Sequence, residues 1–346
     1  MKRILSLDVL RGLTVACMIL VNNGYGESFA QLQHSAWNGL TVCDMVFPFF
    51  LFIMGVSVNF SHKTAVGEIL RRSVLILLIG WAIHYLVYAM QGDFMPWGHF
   101  RFTGVLTRIA VCYLAAALLN KYVPVKSFPW ISGGLLVVYA FLLVFCRGYD
   151  ADPSNILSLV DRTLLGEAHL YRKSPIDPEG CLSTVPAIAH TMLGCICGKM
   201  LKVDSPLPDR VKKMLSYGFI LAAAGLILSI WLPFNKRIWS PSYSLFSCGC
   251  CAFVLAGLSW LIDVKGVKGW TPFFTAFGRN ALPIYVLSEL LSAVFDYTGL
   301  SSGLYGAISS LCPAPAWASL VFALIIVGIN YLAALFLYRK QIVLKI

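Results

Sequence analysis

Four residues that could do chemistry together lie in one short stretch near the start of the chain. His34, Trp37, Asn38 and Asp44 fall within 11 residues, at the edge of a long apolar run. An imidazole can act as a base near neutral pH, a carboxylate can orient its ring, and an amide and an indole add a hydrogen-bonding group and an apolar wall. Simpler interpretations stay open, because a loop histidine is more often only solvated. Asp44 with Thr41 also forms the Thr-x-x-Asp pattern of a helix cap.

Polar side chains inside the apolar runs form a second group, since such residues are costly in a membrane and usually face a partner or a cavity. Arg11 and Asn22 are 11 residues apart, about three helical turns, so they share a helix face. Arg101 and Arg108 are seven apart and share another face, and the remaining members are His84, His190 and Glu289. Structural alternatives are an ion pair between Arg11 and the acid three residues before it, and hydrogen bonds between helices for the histidines. Glu289 is either a satisfied buried acid or a proton carrier.

The composition decides which class of protein carries these residues. Of 346 residues, 58% are hydrophobic and 12% are charged, about half the charged share of a soluble domain. This excludes a disordered chain, a coiled coil and almost any water-soluble enzyme. The net charge of +11 could indicate nucleic acid, but the basic residues gather in alternate loops, as the positive-inside rule describes. We therefore expect an integral membrane protein with lipid, and no nucleic acid, as a partner.

Ten apolar runs are long enough to cross a bilayer as helices of roughly 20 residues. They lie near 5–25, 39–60, 73–90, 102–120, 128–146, 183–201, 214–232, 242–262, 280–298 and 316–338. The basic loops, together with Lys2 and Arg3, place both termini in the cytoplasm. The predicted fold is an all-α membrane protein, a polytopic bundle of about ten transmembrane helices in a single domain over residues 1–346. Outer loops near 26–38 and 147–182 and an interfacial segment at 270–278 complete it.

The chain contains 11 cysteines, most of them inside apolar runs. Neither Cys195-x-Cys197 nor Cys248-x-Cys250-Cys251 has a spacing that brings zinc ligands onto one helix face. We interpret the cysteines as small packing side chains, and we expect no metal site and no essential disulfide framework.

Several sequence blocks follow one another along nearly the whole chain. The most specific are His34-x-x-Trp37-Asn38-Gly39-Leu-Thr-x-x-Asp44 and Asn235-Lys-x-x-Trp239-Ser240. Others are Leu7-Asp-x-x-Arg11-Gly12, Val21-Asn22, Gly104-Val-Leu-x-Arg108, Asp177-Pro-Glu-Gly180 and Gly278-x-Asn280. Together they resemble the heparan-α-glucosaminide N-acetyltransferase family, part of a broader group of transmembrane acyltransferases. That broader group carries a histidine in its first helix, and the sequence has none between Arg11 and Asn22, which favours the glucosaminide branch.

The resemblance implies transfer of an acetyl group from cytoplasmic acetyl-CoA to the amine of a glucosamine-type sugar on the outer side. His34 would then act as the general base or as a transiently acetylated nucleophile, with Asp44 orienting its ring. Asn22 or Asn38 would donate a hydrogen bond to the thioester oxyanion. Binding of the CoA phosphates would involve residues of the inner face, namely Arg11, Arg71, Arg72, Arg279 and Asn280.

Recognition of the sugar would fall to residues of the outer loops and the adjoining helix ends. These are Trp37, Asn38, Arg101, Arg108, Asp177, Glu179, Asn235, Lys236, Trp239 and Ser240. The carboxylates could bind the ammonium of the sugar, and the indoles of Trp37 and Trp239 could offer a flat face for its ring. In the structural alternative the acids stabilise a helix N-terminus, and the tryptophans are ordinary interface residues.

In the animal enzymes an N-terminal luminal domain precedes the matching blocks, and this sequence shows no such domain before them. The resemblance therefore suggests a bacterial member, a multi-pass protein of the inner membrane that faces the periplasm. A homodimer follows from the resemblance alone. Two other functions stay open: an O-acyltransferase for an envelope polysaccharide, and a sugar transporter or flippase with Arg108, His190 and Glu289 as a polar path. The sequence names no physiological acceptor and does not decide between direct and two-step transfer.

Overall fold

The computed structural model describes residues 4–61, 65–171 and 174–344. Within these ranges the chain is built from α-helices joined by short 3-10 turns and one π-helical turn, and it forms no strand. The all-α prediction is thereby confirmed. Lys2 and Arg3, on which part of the predicted charge asymmetry depends, lie outside the described residues.

Thirteen α-helices occur in the described ranges. They are α1 Leu5–Asn22, α2 Val42–Val58, α3 Val66–Met90, α4 Val105–Tyr122, α5 Phe128–Phe145, α6 Ile156–Leu165, α7 Cys181–Lys202, α8 Leu207–Leu228, α9 Pro241–Leu258, α10 Thr271–Arg279, α11 Ala281–Tyr297, α12 Leu300–Ser309 and α13 Pro315–Arg339. The π-helical turn Ser259–Val264 extends α9.

Each of the ten predicted spans coincides with a helix. Eight helices of the described chain are long and apolar enough to cross a membrane: α1, α3, α4, α5, α7, α8, α9 with its π-helical extension, and α13. Helices α2 and α11 have 17 residues each, about 26 Å at 1.5 Å per residue, against roughly 30 Å of hydrocarbon. The segment expected at 270–278 is α10, and α6 and α12 are helices that the apolar runs do not predict. The protein is thus a multi-pass membrane protein.

The described chain forms two compact units, and α2 runs from one into the other. The first unit comprises residues up to 34, 41–50 and 257–344; the second comprises 35–40 and 51–256. In the first unit α1, α10, α11, α12 and α13 enclose a core that includes Ile19, Phe277 and Phe322. In the second unit a separate core contains Tyr139 and Ile238, with Trp37 and Tyr149 packed against it.

Small residues let helices approach closely in both units, as is common in membranes. In the first unit a Cβ built on Gly12 would lie 1.7 Å from the carbonyl oxygen of Phe274, and one on Gly278 would lie 2.0 Å from that of Asp8. Helices α1 and α10 therefore touch backbone to backbone. Helix α7 meets the last part of α2 in the same way, because a Cβ on Gly194 would lie 2.2 Å from a carbonyl oxygen of α2.

Candidate functional site

His34 and Asp44 are in direct contact in the first unit. The Nδ1 atom of His34 lies 2.8 Å from Oδ1 of Asp44, and the Asp44 side chain is fully buried while that of His34 is half exposed. The other carboxylate oxygen accepts hydrogen bonds from the backbone N–H of Thr41, at 3.2 Å, and from its hydroxyl, at 3.1 Å. The cap and the ring-orienting contact therefore coexist: one oxygen of Asp44 serves the start of α2, and the other holds the imidazole.

Cys43 is a neighbour of this pair that the sequence analysis did not assign to the site. Its Sγ lies 3.2 Å from Nδ1 and 3.8 Å from Nε2 of His34, and the residue is 3% exposed. The sequence did hold a signal, because Cys43 precedes Asp44 directly and both fall in the first turn of α2. The sequence analysis overlooked this signal because it interpreted the cysteines together as packing side chains, most of them inside apolar runs.

Asn22 lies at the exposed end of α1, where its amide donates to Oε1 of Glu289 at 3.3 Å. The next residue, Asn23, is buried, and its amide donates to the carbonyl oxygen of Ile19 at 2.7 Å and to the hydroxyl of Ser288 at 3.4 Å. The structure therefore pairs two of the polar residues singled out in the sequence, Asn22 and Glu289, and makes the neighbouring asparagine a link between α1 and α11.

The residues predicted to bind CoA are divided between the two units. In the first, Arg11 pairs with Asp8 at 3.2 Å, which is the alternative foreseen for it. Arg279 donates to Oε1 of Gln341 at 2.5 Å, and the amide of Asn280 donates to the carbonyl oxygen of Ile342 at 2.9 Å. These two side chains therefore hold the tail that follows α13. In the second unit, the Arg72 guanidinium lies 4.7 Å from the centroid of the Tyr113 ring and Arg71 is exposed.

In the second unit the stretch 37–39 is fixed to two loops. The Trp37 indole donates to the carbonyl oxygen of Tyr149 at 2.8 Å, and the Asn235 amide donates to Oδ1 of Asn38 at 3.1 Å. Asn235 begins a tight turn, since its Oδ1 accepts from the N–H of Ile238 at 3.2 Å. Its own N–H donates to the hydroxyl of Ser240 at 3.1 Å. Two blocks nearly 200 residues apart in sequence thus meet through a pair of asparagines.

Further along this turn, Lys236 is partly buried and Trp239 is fully buried with a φ of 52°. The guanidinium of Arg108 lies 5.1 Å from the centroid of the Trp239 ring, and the ring of His190 meets it edge-on at 5.7 Å. In this structure the Trp239 ring presents no open face, and its contact with a sugar stays a prediction. The ring packs inside the second unit, because a buried guanidinium and an imidazole cover it.

Arg101 holds both acids predicted to bind the sugar. Its Nη2 donates to Oδ1 of Asp177 at 2.7 Å and to Oε2 of Glu179 at 2.8 Å, and the Thr103 hydroxyl donates to Asp177 at 2.6 Å. Burial alone would raise the pKa of Asp177, but the guanidinium and these hydrogen bonds outweigh it and lower the pKa below its ordinary value. Tyr171 covers the Arg101 guanidinium at 4.7 Å. The three predicted residues thus form one neutralising cluster, in which Asp177 is fully buried and Glu179 is partly exposed.

Arg108 of α4 and Asp161 of α6 both contact the start of α7. Arg108 is 1% exposed, and it donates to the carbonyl oxygen of Gly180 at 3.3 Å and to the hydroxyl of Ser183. Asp161 accepts from the N–H of Cys181 at 2.8 Å. Burial raises the pKa of Asp161 to about 6, despite the backbone hydrogen bonds that oppose the shift. The sequence analysis did not foresee Asp161, which reaches the N-terminus of α7 from α6, a helix that it missed.

Comparison with known proteins covers most of the chain. The family model described as "Heparan-alpha-glucosaminide N-acetyltransferase, catalytic" matches residues 3–205. The mouse protein named heparan-alpha-glucosaminide N-acetyltransferase is 31% identical over 366 residues, which cover 86% of this chain and 55% of the mouse protein. The human protein of the same name is 30% identical over 361 residues, which cover 85% and 54%. The chain therefore spans about half the length of these curated relatives.

Proposed function

Because the chain belongs to the heparan-alpha-glucosaminide N-acetyltransferase family, we propose that it transfers an acetyl group from acetyl-CoA to the amine of a glucosamine-type sugar. The observation that carries the proposal is the contact between His34 and Asp44, at 2.8 Å, inside the sequence block that the family model covers. The names of the mouse and human relatives support a glucosamine-type acceptor, and the multi-pass helical fold suits a membrane enzyme.

The chemistry of the pair follows from how it is held. Asp44 is anchored through Oδ2 by two hydrogen bonds from Thr41, so Oδ1 is fixed beside Nδ1 of His34. With the Nδ1 hydrogen directed at this carboxylate, Nε2 keeps its lone pair and can take a proton. A sugar amine must lose its ammonium proton before it attacks a thioester, and a base of this kind removes it. The buried carboxylate also stabilises the imidazolium that results.

We assign the oxyanion contact to Asn22, which lies in the same unit as the catalytic pair. Its amide is a hydrogen-bond donor, used at present by Glu289 at 3.3 Å, a long contact that a developing oxyanion could replace. A single donor of this kind supports catalysis by about 3–4 kcal/mol in other acyl-transfer enzymes. Acceptor recognition is assigned to the members of the predicted set that are not fully buried, among them exposed Asn38 and partly buried Trp37 and Glu179.

The proposal includes a direction across the membrane. Acetyl-CoA approaches from the cytoplasm, where both termini lie, and the acceptor approaches from the periplasm of a bacterial inner membrane. The basic loops support this orientation through the positive-inside rule. The inner arginines Arg11, Arg71, Arg72 and Arg279 are the candidates for the CoA phosphates, and the exposure of Arg71 makes it the most accessible of the set.

The test uses purified protein in detergent with radiolabelled acetyl-CoA and glucosamine. Wild type should form N-acetylglucosamine, and His34→Ala should form none while remaining folded. His99→Ala is the matched control, because His99 also pairs with an aspartate, Asp93 at 2.7 Å, but both side chains are about one-third exposed. This control should keep wild-type activity. Equal activity of His34→Ala and wild type would contradict the catalytic assignment.

The product of this assay identifies the acceptor atom, and a second assay with the protein reconstituted into lipid vesicles tests for transport. An amide product survives mild alkali, whereas an ester formed on a sugar hydroxyl does not. Movement of labelled sugar into vesicles without release of CoA would indicate a transporter instead of an enzyme. Each result has a different signature, so a negative result for glucosamine still identifies the class.

A further inference from the structure

Cys43 has the position of a nucleophile beside the catalytic base. Its Sγ lies beside the imidazole of His34, 3.2 Å from Nδ1 and 3.8 Å from Nε2, and Nδ1 is also 2.8 Å from Asp44. With the Nδ1 hydrogen directed to the carboxylate, Nε2 is the nitrogen with a lone pair. A turn of the half-exposed His34 ring brings this nitrogen to the thiol hydrogen. A nucleophile, a base and a group that orients the base are the three parts of covalent acyl-transfer sites. All three belong to the first unit of the structure.

We propose that Cys43 accepts the acetyl group from acetyl-CoA before the sugar receives it, so that transfer passes through an acetyl-cysteine. The inference rests on the proposed acetyltransferase function and adds a covalent step to it. The metal-free chemistry needs no partner beyond the two substrates, because one thioester is exchanged for another.

The first half-reaction exchanges the CoA thioester for a thioester on Cys43. Nε2 of His34 takes the thiol proton, and the Cys43 thiolate attacks the carbonyl carbon of acetyl-CoA. The bond between that carbon and the CoA sulfur breaks, and the CoA thiolate takes the proton from His34. In the second half-reaction the sugar amine attacks the acetyl-cysteine, the bond to Sγ breaks, and His34 carries the amine proton to the departing sulfur.

Two further features of the position suit this role. Cys43 is the second residue of α2, where the positive end of the helix dipole favours an anionic sulfur. At 3% exposure a thioester on this sulfur is also shielded from water, which protects the intermediate from hydrolysis. The half-exposed His34 ring lies against it, so movement of one side chain opens the way to the sulfur.

The experiment separates the two half-reactions. Purified protein is incubated with labelled acetyl-CoA without acceptor, digested, and the labelled peptide is identified by mass spectrometry. A parallel assay follows exchange of label between acetyl-CoA and free CoA. Wild type and the control Cys17→Ala, a cysteine of α1 in the same unit, should carry the acetyl group on Cys43 and catalyse the exchange. Cys43→Ala should do neither, and its transfer to glucosamine should fall by about 100-fold or more.

Cys43→Ser guards against a fold effect, because it keeps the shape of the side chain. It should hold an acetyl ester that turns over poorly, so label accumulates while product formation stays low. The inference is overturned if active wild type shows no acetyl-Cys43 and no exchange, if the label lies on His34, or if Cys43→Ala transfers at the wild-type rate. Absence of any acetyl transfer by wild type would instead overturn the proposed function.

Discussion

Replacing Asp44 by asparagine tests whether the carboxylate sets the tautomer of His34. The variant keeps the size of the side chain, and its amide has one oxygen and one NH2 group to distribute. The backbone N–H of Thr41, 3.2 Å from Oδ2, requires an acceptor, so the amide oxygen takes that side. The NH2 group then faces Nδ1 of His34, which lies 2.8 Å from the other oxygen in wild type. Nδ1 must become the acceptor, which puts the ring hydrogen on Nε2 and removes the base.

The expected loss of activity is scaled from a catalytic triad in which a carboxylate orients a histidine in the same way. Loss of the correct tautomer by this substitution costs about 10⁴ in kcat in a serine protease triad, roughly 5.4 kcal/mol at 1.36 kcal/mol per tenfold. Folding should change by less than about 1 kcal/mol, because the amide oxygen still caps the start of α2. We therefore expect Asp44→Asn to be nearly inactive, with a melting temperature close to that of wild type.

The assay measures the rate of N-acetylglucosamine formation and the thermal unfolding of the same detergent preparation. Asp93→Asn serves as the control, since it makes the same change in the partly exposed pair with His99 and should leave both quantities unaltered. The reasoning is refuted if Asp44→Asn stays within tenfold of wild type. A variant that is inactive only because it unfolds would show a lowered melting temperature, and the loss of activity would then say nothing about the tautomer.

Two further predictions concern stability. Gly12→Ala should lower the melting temperature by the equivalent of about 1–3 kcal/mol or more, because its Cβ would lie 1.7 Å from the carbonyl oxygen of Phe274. Gly328→Ala should leave the melting temperature unchanged, because no atom lies within 4 Å of the new Cβ. Equal effects of the two substitutions would contradict the packing argument. Asp161→Asn should flatten the pH profile of stability: the raised pKa of Asp161, about 6, means that the unfolded chain ionises this group first, so wild type loses stability as pH rises from about 4 to 6. Thermal unfolding between pH 4.5 and 7 measures the difference, and parallel profiles for wild type and variant would refute the assignment.

The helices that the sequence predicts correctly are those defined by long apolar runs. All ten runs became helices, because twenty apolar residues have few alternatives in a membrane. Helix α6 was missed, although Asn155 caps it through a 2.8 Å hydrogen bond from the N–H of Leu157. A ten-residue amphipathic helix inside a polar loop has no apolar run to mark it, and its cap is a short signal beside many similar residues.

Parts of the site were within reach of the sequence, and parts were not. His34 and Asp44 are ten residues apart, and the sequence named them together as an interpretation, with a solvated histidine and a helix cap as alternatives. The pairing of Arg101 with Asp177 joins residues 76 positions apart, and the cover that Arg108 places over Trp239 joins residues still farther apart. Such contacts depend on which helices become neighbours, and no periodicity along the chain records that.

The close approach of α1 and α10 has a consequence for how this protein can change over generations. The atoms opposite Gly12 and Gly278 belong to backbone, the carbonyl groups of Phe274 and Asp8, and no substitution elsewhere can make a backbone carbonyl smaller. Gly80 is different, since its Cβ would lie 2.9 Å from the Cβ of Leu106, a side-chain atom that glycine at 106 would remove. Suppressor mutations should therefore be recoverable for Gly80 and not for Gly12 or Gly278. Across related sequences residue 80 should covary with residue 106, whereas positions 12 and 278 should always hold glycine.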